Sequence, residues 1–285
     1  ALRVHVDWQI ANGVSLLIPA GTTGETSTLT ESEWLRVVEI TVEAAEGRVP
    51  VFAGATHNST AQAVENVRKL ARIPHLAGIL IANPYYNRPG QEGQFQHFKA
   101  VAEAVPLPIL LYNIPGRTGA NLEPDTVLRL ADIPNIVGIK ESSGLMTQIT
   151  SILTQAPRSF RVFAGDDALT LPTLAVGGVG VISVASNAIP QQMSHLVDSA
   201  MTDNWIAARR INRHYFRLMQ ALFTEPSPAP IKAVLALLGR GNENLRLPMV
   251  PVTTPTRRKL ERILGELGLL FDQPETEDNP KLRMF

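Results

Sequence analysis

The chain has 285 residues, enough for one large domain or two ordinary ones with a sizeable core. Its 26 basic and 26 acidic side chains balance, which removes the global charge argument for a nucleic-acid partner, and none is expected; the absence of cysteine excludes disulfides and thiolate chemistry. No apolar run approaches the length needed to cross a bilayer and no signal-peptide pattern is present, so no membrane partner is expected and the expected location is cytoplasmic.

In chain order, residues 2–12 read as a helix already under way at Ala1 and stopped by Gly13. An apolar, β-branched run at 14–18 follows and ends in the turn PAGTTGE. Thr30 with Glu33 has the spacing of a capping box that opens the next helix. A second run at 49–53 precedes another such pair, Ser59 with Gln62. The run at 78–82 ends in NPYYNRPG, and the run at 109–112 ends in YNIPGRTG. Pro124 after Glu123 suits a first helical turn. The run at 136–140 ends in Lys140 of GIKE, the one at 161–164 enters AGDD, and the last is GVGVISV, with its strand over 179–184.

These seven runs are apolar almost throughout, as expected of strands buried on both faces of a parallel sheet. Their alternation with helical patterns is the rhythm of repeated βα units. A helix ahead of the first run implies one more strand ahead of Ala1, so the expected fold is an α/β (β/α)8 TIM barrel whose first strand is absent from this chain. Beyond about residue 186 the strands stop. Helical patterns cover 190–201, 203–223, 229–239 and 255–268, and a polar tail with Pro274 and Pro280 follows. The expected division is a barrel catalytic domain over 1–203 and a C-terminal helical extension with a polar tail over 204–285.

A barrel of this kind carries its active site at the C-terminal ends of the strands, and each strand end here is polar or glycine-rich against an apolar body. Lys140 is the sharpest case. A lysine there either snorkels, its stem packed and its amine in water, or is the reactive atom. Tyr112 ends the adjacent strand, and neighbouring strands lie about 5 Å apart, so a phenol and an amine share one barrel end. Burial favours the neutral, nucleophilic form of an amine, and an amine attacks a ketone to give a Schiff base that serves as an electron sink. Tyr112 by itself reads equally well as a packed aromatic. With Thr22, Thr23 and a tyrosine of the Tyr85–Tyr86 pair it forms a set of hydroxyls suited to proton transfer.

GTTGE lacks the GK[ST] of a phosphate loop, and its N–H groups and hydroxyls suit a small carboxylate instead. Arg117 lies in a Pro-Gly-Arg-Thr-Gly turn; such an arginine is solvated unless it clamps a carboxylate, for which its planar fork is the preferred donor. Asp166 and Asp167 read as a cap for the following helix rather than a metal site. Of the six histidines only His57 falls in these strand-end motifs, which disfavours a histidine metal cage, a metal-dependent aldolase or a Ser-His-Asp triad.

Six motifs, GTTGE, PYYNRPGQEG, YNIPGRTG, GIKE, AGDD and GVISV, follow the order and approximate spacing of the pyruvate-dependent class I (Schiff-base) aldolase family that includes dihydrodipicolinate synthase and N-acetylneuraminate lyase. The match spans roughly residues 1–250, and the chain most resembles the dihydrodipicolinate synthase branch. That resemblance implies a (β/α)8 barrel with a helical extension. It also implies a lyase that condenses pyruvate with L-aspartate 4-semialdehyde to 4-hydroxy-tetrahydrodipicolinate, on the route to diaminopimelate and lysine. Lys140 then matches the Schiff-base lysine, and Tyr112 the proton donor and acceptor, linked through Thr23 to Tyr86 of a neighbouring subunit. Thr22 and Thr23 match positions that hold the pyruvate carboxylate, Gly165 and Ile182 positions that line its pocket, and Arg117 the arginine that receives the semialdehyde carboxylate. The implied assembly is a homotetramer built as a dimer of dimers. The implied chemistry uses neither metal nor organic cofactor, only the covalent imine between Lys140 and pyruvate.

Besides the metal-dependent aldolase disfavoured above, two further alternatives stay open at this point. Another aldolase or dehydratase of the family would act on keto-deoxy sugar acids or sialic acid; Arg117 argues against this, because sialic acid lyases lack an arginine there. A barrel with a gap in place of its first strand would be an inactive binding homologue, against which the complete set of candidate catalytic residues argues. Lysine-inhibited relatives carry a histidine and a glutamate in an allosteric site. The corresponding positions here are Glu31 or Trp34, and Gln62, with Asn58 and Tyr85 kept. Feedback inhibition by lysine is therefore expected to be weak or absent, and strong inhibition by millimolar lysine in an activity assay would refute this.

Overall fold

In the computed structural model, which describes residues 1–270, strands and helices alternate along most of the chain. Helix α1 (Leu2–Ala11) is followed by α2 (Glu31–Ala45), and then by the pairs β1 (Phe52–Gly54) with α3 (Thr60–Leu70) and β2 (Gly78–Ala82) with α4 (Gln91–Ala104). Strand β3 (Ile109–Asn113) leads into the short α5 (Pro115–Thr118) and α6 (Pro124–Ala131). Next come β4 (Ile136–Glu141) with α7 (Met146–Gln155), β5 (Arg161–Ala164) with α8 (Thr170–Ala175), and β6 (Gly180–Val181). Four helices close the described chain: α9 (Pro190–Met201), α10 (Trp205–Ala221), α11 (Ala229–Leu237) and α12 (Thr254–Glu266).

The six strands form one parallel sheet in sequence order, which curls with the helices outside it into a TIM-barrel architecture. All residues of β2 and β3 are buried, because one face meets the barrel interior and the other the helical layer. Leu80, Ala82, Leu110 and Tyr112 pack together inside the barrel with Ile18, Phe52 and Phe163 against them. The helical layer closes over the other faces, with Ile79, Ile81, Leu111 and Ile139 among its fully buried members. A second core joins α8 and α9 to α10, α11 and α12 through Leu196, Leu218, Val234 and Leu260. No helix among the described residues is long and apolar enough to cross a membrane.

Three expected strands are shorter than their sequence patterns: β1 spans only Phe52–Gly54 against the run at 49–53, and two others are reduced further. The run at 14–18 makes a single parallel bridge, Leu17 to Val51, and the run at 179–184 keeps strand geometry only at Gly180–Val181. Each of these two pairs with a neighbour on one side alone, so half of its backbone groups lack a ladder partner and regular extension is not enforced. Residues 185–187 instead turn into a short 3-10 helix.

The capping signals divide in the same way. Thr30 and Glu33 form the full reciprocal box at the start of α2. Ser59 precedes α3 but caps nothing: its backbone N–H donates to His57 Nδ1, and the Gln62 side chain donates to Asn66 Oδ1. The four C-terminal helices fall close to their expected bounds. The polar tail with Pro274 and Pro280 lies outside the described residues.

Candidate active site

The centre of the site is set by strand register. On β3 and β4, Tyr112 pairs with Lys140, and on β5 Phe163 pairs with Lys140 from the other side. Alternation along a strand then sends all three side chains to the barrel interior. The ring of Tyr112, only 5% exposed, is covered by the Lys140 side chain, with Nζ 4.2 Å from the ring centroid. Lys140 is half-buried, and its stem is packed rather than free. Gly165 fixes that stem from β5's end. Its N–H donates to the Glu141 carbonyl at 2.8 Å, and a Cβ built on it would fall 3.1 Å from Lys140 Cγ and 1.9 Å from Ser142 Oγ. Any residue with a side chain would displace Ser142 and crowd the lysine stem.

A cavity of about 440 Å3 opens beside the amine and is lined by Thr22, Thr23, Lys140, Phe163 and Ile182 among others. Ile182 is placed by its N–H donating to the Ala164 carbonyl at 2.9 Å. Thr22 and Thr23 sit in a tight turn closed by Gly24 N–H to Gly21 O at 3.0 Å and Glu25 N–H to Thr22 O at 3.2 Å. The turn begins at Ala20, whose left-handed φ of 54° brings its carbonyl within 2.0 Å of where a Cβ on Gly54 would lie. Glycine at 54 is therefore a condition for the turn to approach β1 so closely.

Of the expected site residues, Tyr112, Gly165, Arg117 and Tyr86 lie outside that lining; Tyr112 and Gly165 touch the cavity only through Lys140, which they pack against. Arg117 is exposed on α5, one Nη donating to the Ser227 carbonyl at 3.0 Å, so its fork is held at the barrel mouth by the C-terminal helices. Tyr86 is 87% exposed with φ of 71°, a left-handed conformation that a tyrosine adopts only when its surroundings impose it. Within one chain it is not brought to Lys140. Of the two aspartates, Asp166 caps the short 3-10 turn at Asp167–Leu169 by accepting from Ala168 N–H, as the sequence suggests. Asp167 does something else: fully buried, it accepts from Ser183 Oγ and from the N–H groups of Val184 and Ala185. Burial pushes its carboxyl pKa up, against the opposing pull of these donors. His97 on α4 stays outside the chemistry, its pKa pushed down to about 4 by burial and by His57 nearby. Among the described residues, no group of three or more His, Asp or Glu is placed to hold a metal ion.

One feature of the site escapes the strand-end pattern. One residue beyond Tyr112 and Lys140, on the opposite face of the sheet, Asn113 pairs with Glu141. The Glu141 carboxylate, 1% exposed, accepts from Asn113 Nδ2 at 3.0 Å, Gln148 Nε2 at 3.0 Å and Ser143 N–H at 2.6 Å. Asn113 in turn donates to Asn121 Oδ1 at 2.8 Å and accepts from Leu122 N–H at 2.9 Å. This network ties the ends of β3 and β4 to the segment that follows Arg117. Its signal in the sequence is a polar residue directly after each chemical one, Tyr-Asn and Lys-Glu, on a strand that alternates faces.

A model of the dihydrodipicolinate synthetase family matches residues 1–267. A 4-hydroxy-tetrahydrodipicolinate synthase from Acidobacterium capsulatum is 58% identical over 275 residues, which is 96% of this chain and 91% of the relative. Among solved structures, dihydrodipicolinate synthase from Thermotoga maritima superposes with a TM-score of 0.92 at 42% identity, covering 94% of this chain and 92% of that one. A dihydrodipicolinate synthase from Acinetobacter baumannii, solved in complex with pyruvate, gives a TM-score of 0.92 at 37% identity, with coverage of 94% and 92%.

Proposed function

The chain belongs to the dihydrodipicolinate synthetase family, and we propose that it condenses pyruvate with L-aspartate 4-semialdehyde through an imine on Lys140, giving 4-hydroxy-tetrahydrodipicolinate. The observation that carries this reading is the Lys140 amine seated over the Tyr112 ring, in register across β3 and β4, with Gly165 against its stem. The same chemistry places the enzyme in diaminopimelate and lysine biosynthesis.

Lys140 attacks the pyruvate ketone, and loss of water leaves an iminium. Thr22 and Thr23 hold the pyruvate carboxylate at the cavity wall, with Ile182 closing the pocket and Gly165 backing the Lys140 stem. The iminium withdraws electrons from the adjacent methyl group, so a proton leaves to give an enamine. Tyr112, with Thr23, takes and returns the protons of these steps. The enamine carbon then attacks the aldehyde of the semialdehyde, whose carboxylate pairs with Arg117. Attack of the substrate amine on the imine carbon closes the ring and frees Lys140. The iminium is the electron sink, so this route calls for no organic cofactor. Tyr86, exposed and held in its left-handed conformation, reaches the proton relay of a neighbouring subunit in a homotetramer built as a dimer of dimers.

Incubating the protein with pyruvate and L-aspartate 4-semialdehyde and identifying the product by mass tests the reading. Cleavage of a keto-deoxy sugar acid or sialic acid with no condensation would replace it by the sugar-acid alternative. Tyr112→Phe, which removes only the hydroxyl, is expected to lower kcat by about 10²-fold with little change in melting temperature. An equal loss in kcat and in stability would make Tyr112 a packing residue only.

A further inference from the structure

We propose that the start of α11 is a positioning element of the active site, in which Lys232 fixes the Thr22–Thr23 turn through Glu25. This rests on the Schiff-base reading, in which that turn holds the pyruvate carboxylate.

Lys232 Nζ lies 2.6 Å from Glu25 Oε2, a contact between residues 207 apart in sequence. The side chains are 21% and 22% exposed, and of the ion pairs among the described residues this is the one with both partners less than a quarter exposed. An ion pair so sheltered is screened less by solvent than the surface pairs, and its geometry is better defined. Glu25 also sits at φ 57°, in the left-handed region where glycine or asparagine would be less strained. A glutamate at that position is explained by what its side chain reaches.

The backbone around Glu25 transmits the restraint. Its N–H closes the turn on the Thr22 carbonyl, and its own carbonyl accepts from both the N–H and the Oγ1 of Thr28. Thr28 is held from outside by Arg246, which donates to its carbonyl at 2.9 Å and forks onto Glu33. Two cations of the C-terminal helical region thus grip one turn. Five residues before Lys232, the Ser227 carbonyl receives Arg117. One short segment therefore braces the pyruvate turn and the arginine proposed for the second substrate. A misplacement of about 1 Å in such a positioning group costs up to about a hundredfold in rate.

The test is Lys232→Met in the full chain, with pyruvate imine captured by borohydride and read as a mass shift on Lys140. The expected result is a rise of about tenfold in the KM for pyruvate and a similar slowing of capture. The KM for the semialdehyde should change less than about twofold, because the Ser227–Arg117 contact is a backbone one. Lys232→Arg, which keeps the ion pair, should restore most of the loss, and Glu25→Gln should reproduce the methionine variant's split if that variant folds poorly. Capture and pyruvate KM unchanged in Lys232→Met and Glu25→Gln would overturn the proposal. So would equal damage to both substrates with a lowered melting temperature, which is the signature of a purely structural contact. Failure of the unaltered protein to capture pyruvate on Lys140 would instead remove the Schiff-base reading beneath it.

Discussion

Lys140→Met is expected to reduce turnover by about 10⁴-fold or more and to leave no borohydride-stable pyruvate adduct on the protein. Methionine nearly matches the lysine stem, so the packing against Gly165 and Tyr112 survives and the effect is confined to the missing nitrogen. Without the imine there is no electron sink for the pyruvate methyl group, and no hydroxyl of the site supplies one. Peptide mapping of the unaltered protein after capture with labelled pyruvate gives the complementary result, label on the peptide containing Lys140. Label on any other lysine, or residual condensation within tenfold of the parent, would move the nucleophile elsewhere.

The strength of that expectation comes from how much of the site follows from local sequence. The strands that carry Tyr112 and Lys140 are buried on both faces, so their apolar runs were readable without knowing their neighbours, and their chemical residues fall at the ends where the pattern breaks. Segments paired on one side only were less legible. Residues 14–18 and 179–184 have the same β-branched composition, yet local propensity does not supply the missing ladder partners. Ser59 shows the same limit for caps: it has the right spacing to Gln62, but its N–H goes to His57 and the glutamine to Asn66. The Lys232–Glu25 pair was out of reach for a different reason, because nothing within either stretch marks a partner 207 residues away. Arg117 was legible as a carboxylate clamp from its turn, whereas its attachment to Ser227 depends on how the C-terminal helices pack over the barrel mouth.

The residue missed with the largest consequence is Glu141, and its role predicts the largest stability change. A buried carboxylate is costly to desolvate, and among the described residues Glu141 has no cation within ion-pair distance to offset that. What offsets it is a set of neutral donors already aimed at it by β3, α7 and the turn at Ser143. Glu141→Ala removes the acceptor but not the donors. Asn113 and Gln148 each keep another partner, whereas the Ser143 N–H has none left. Hydrogen bonds to a charged group contribute about 1.5–3 kcal/mol each, and relief of the desolvation cost returns part of the loss. The expected destabilisation is about 3–5 kcal/mol, read as a lower denaturant midpoint at unchanged slope. Glu141→Gln should cost less, about 2 kcal/mol, because one oxygen remains but an amide donor now faces donors. Asn113→Asp combined with Glu141→Gln exchanges the polarity of the pair and should recover part of that. Activity should fall together with stability, since Glu141 and Asn113 set the register that stacks the Lys140 amine on the Tyr112 ring. Should Glu141→Ala unfold within about half a kcal/mol of the parent, the donors have found water, and the network does not hold the strand ends in place.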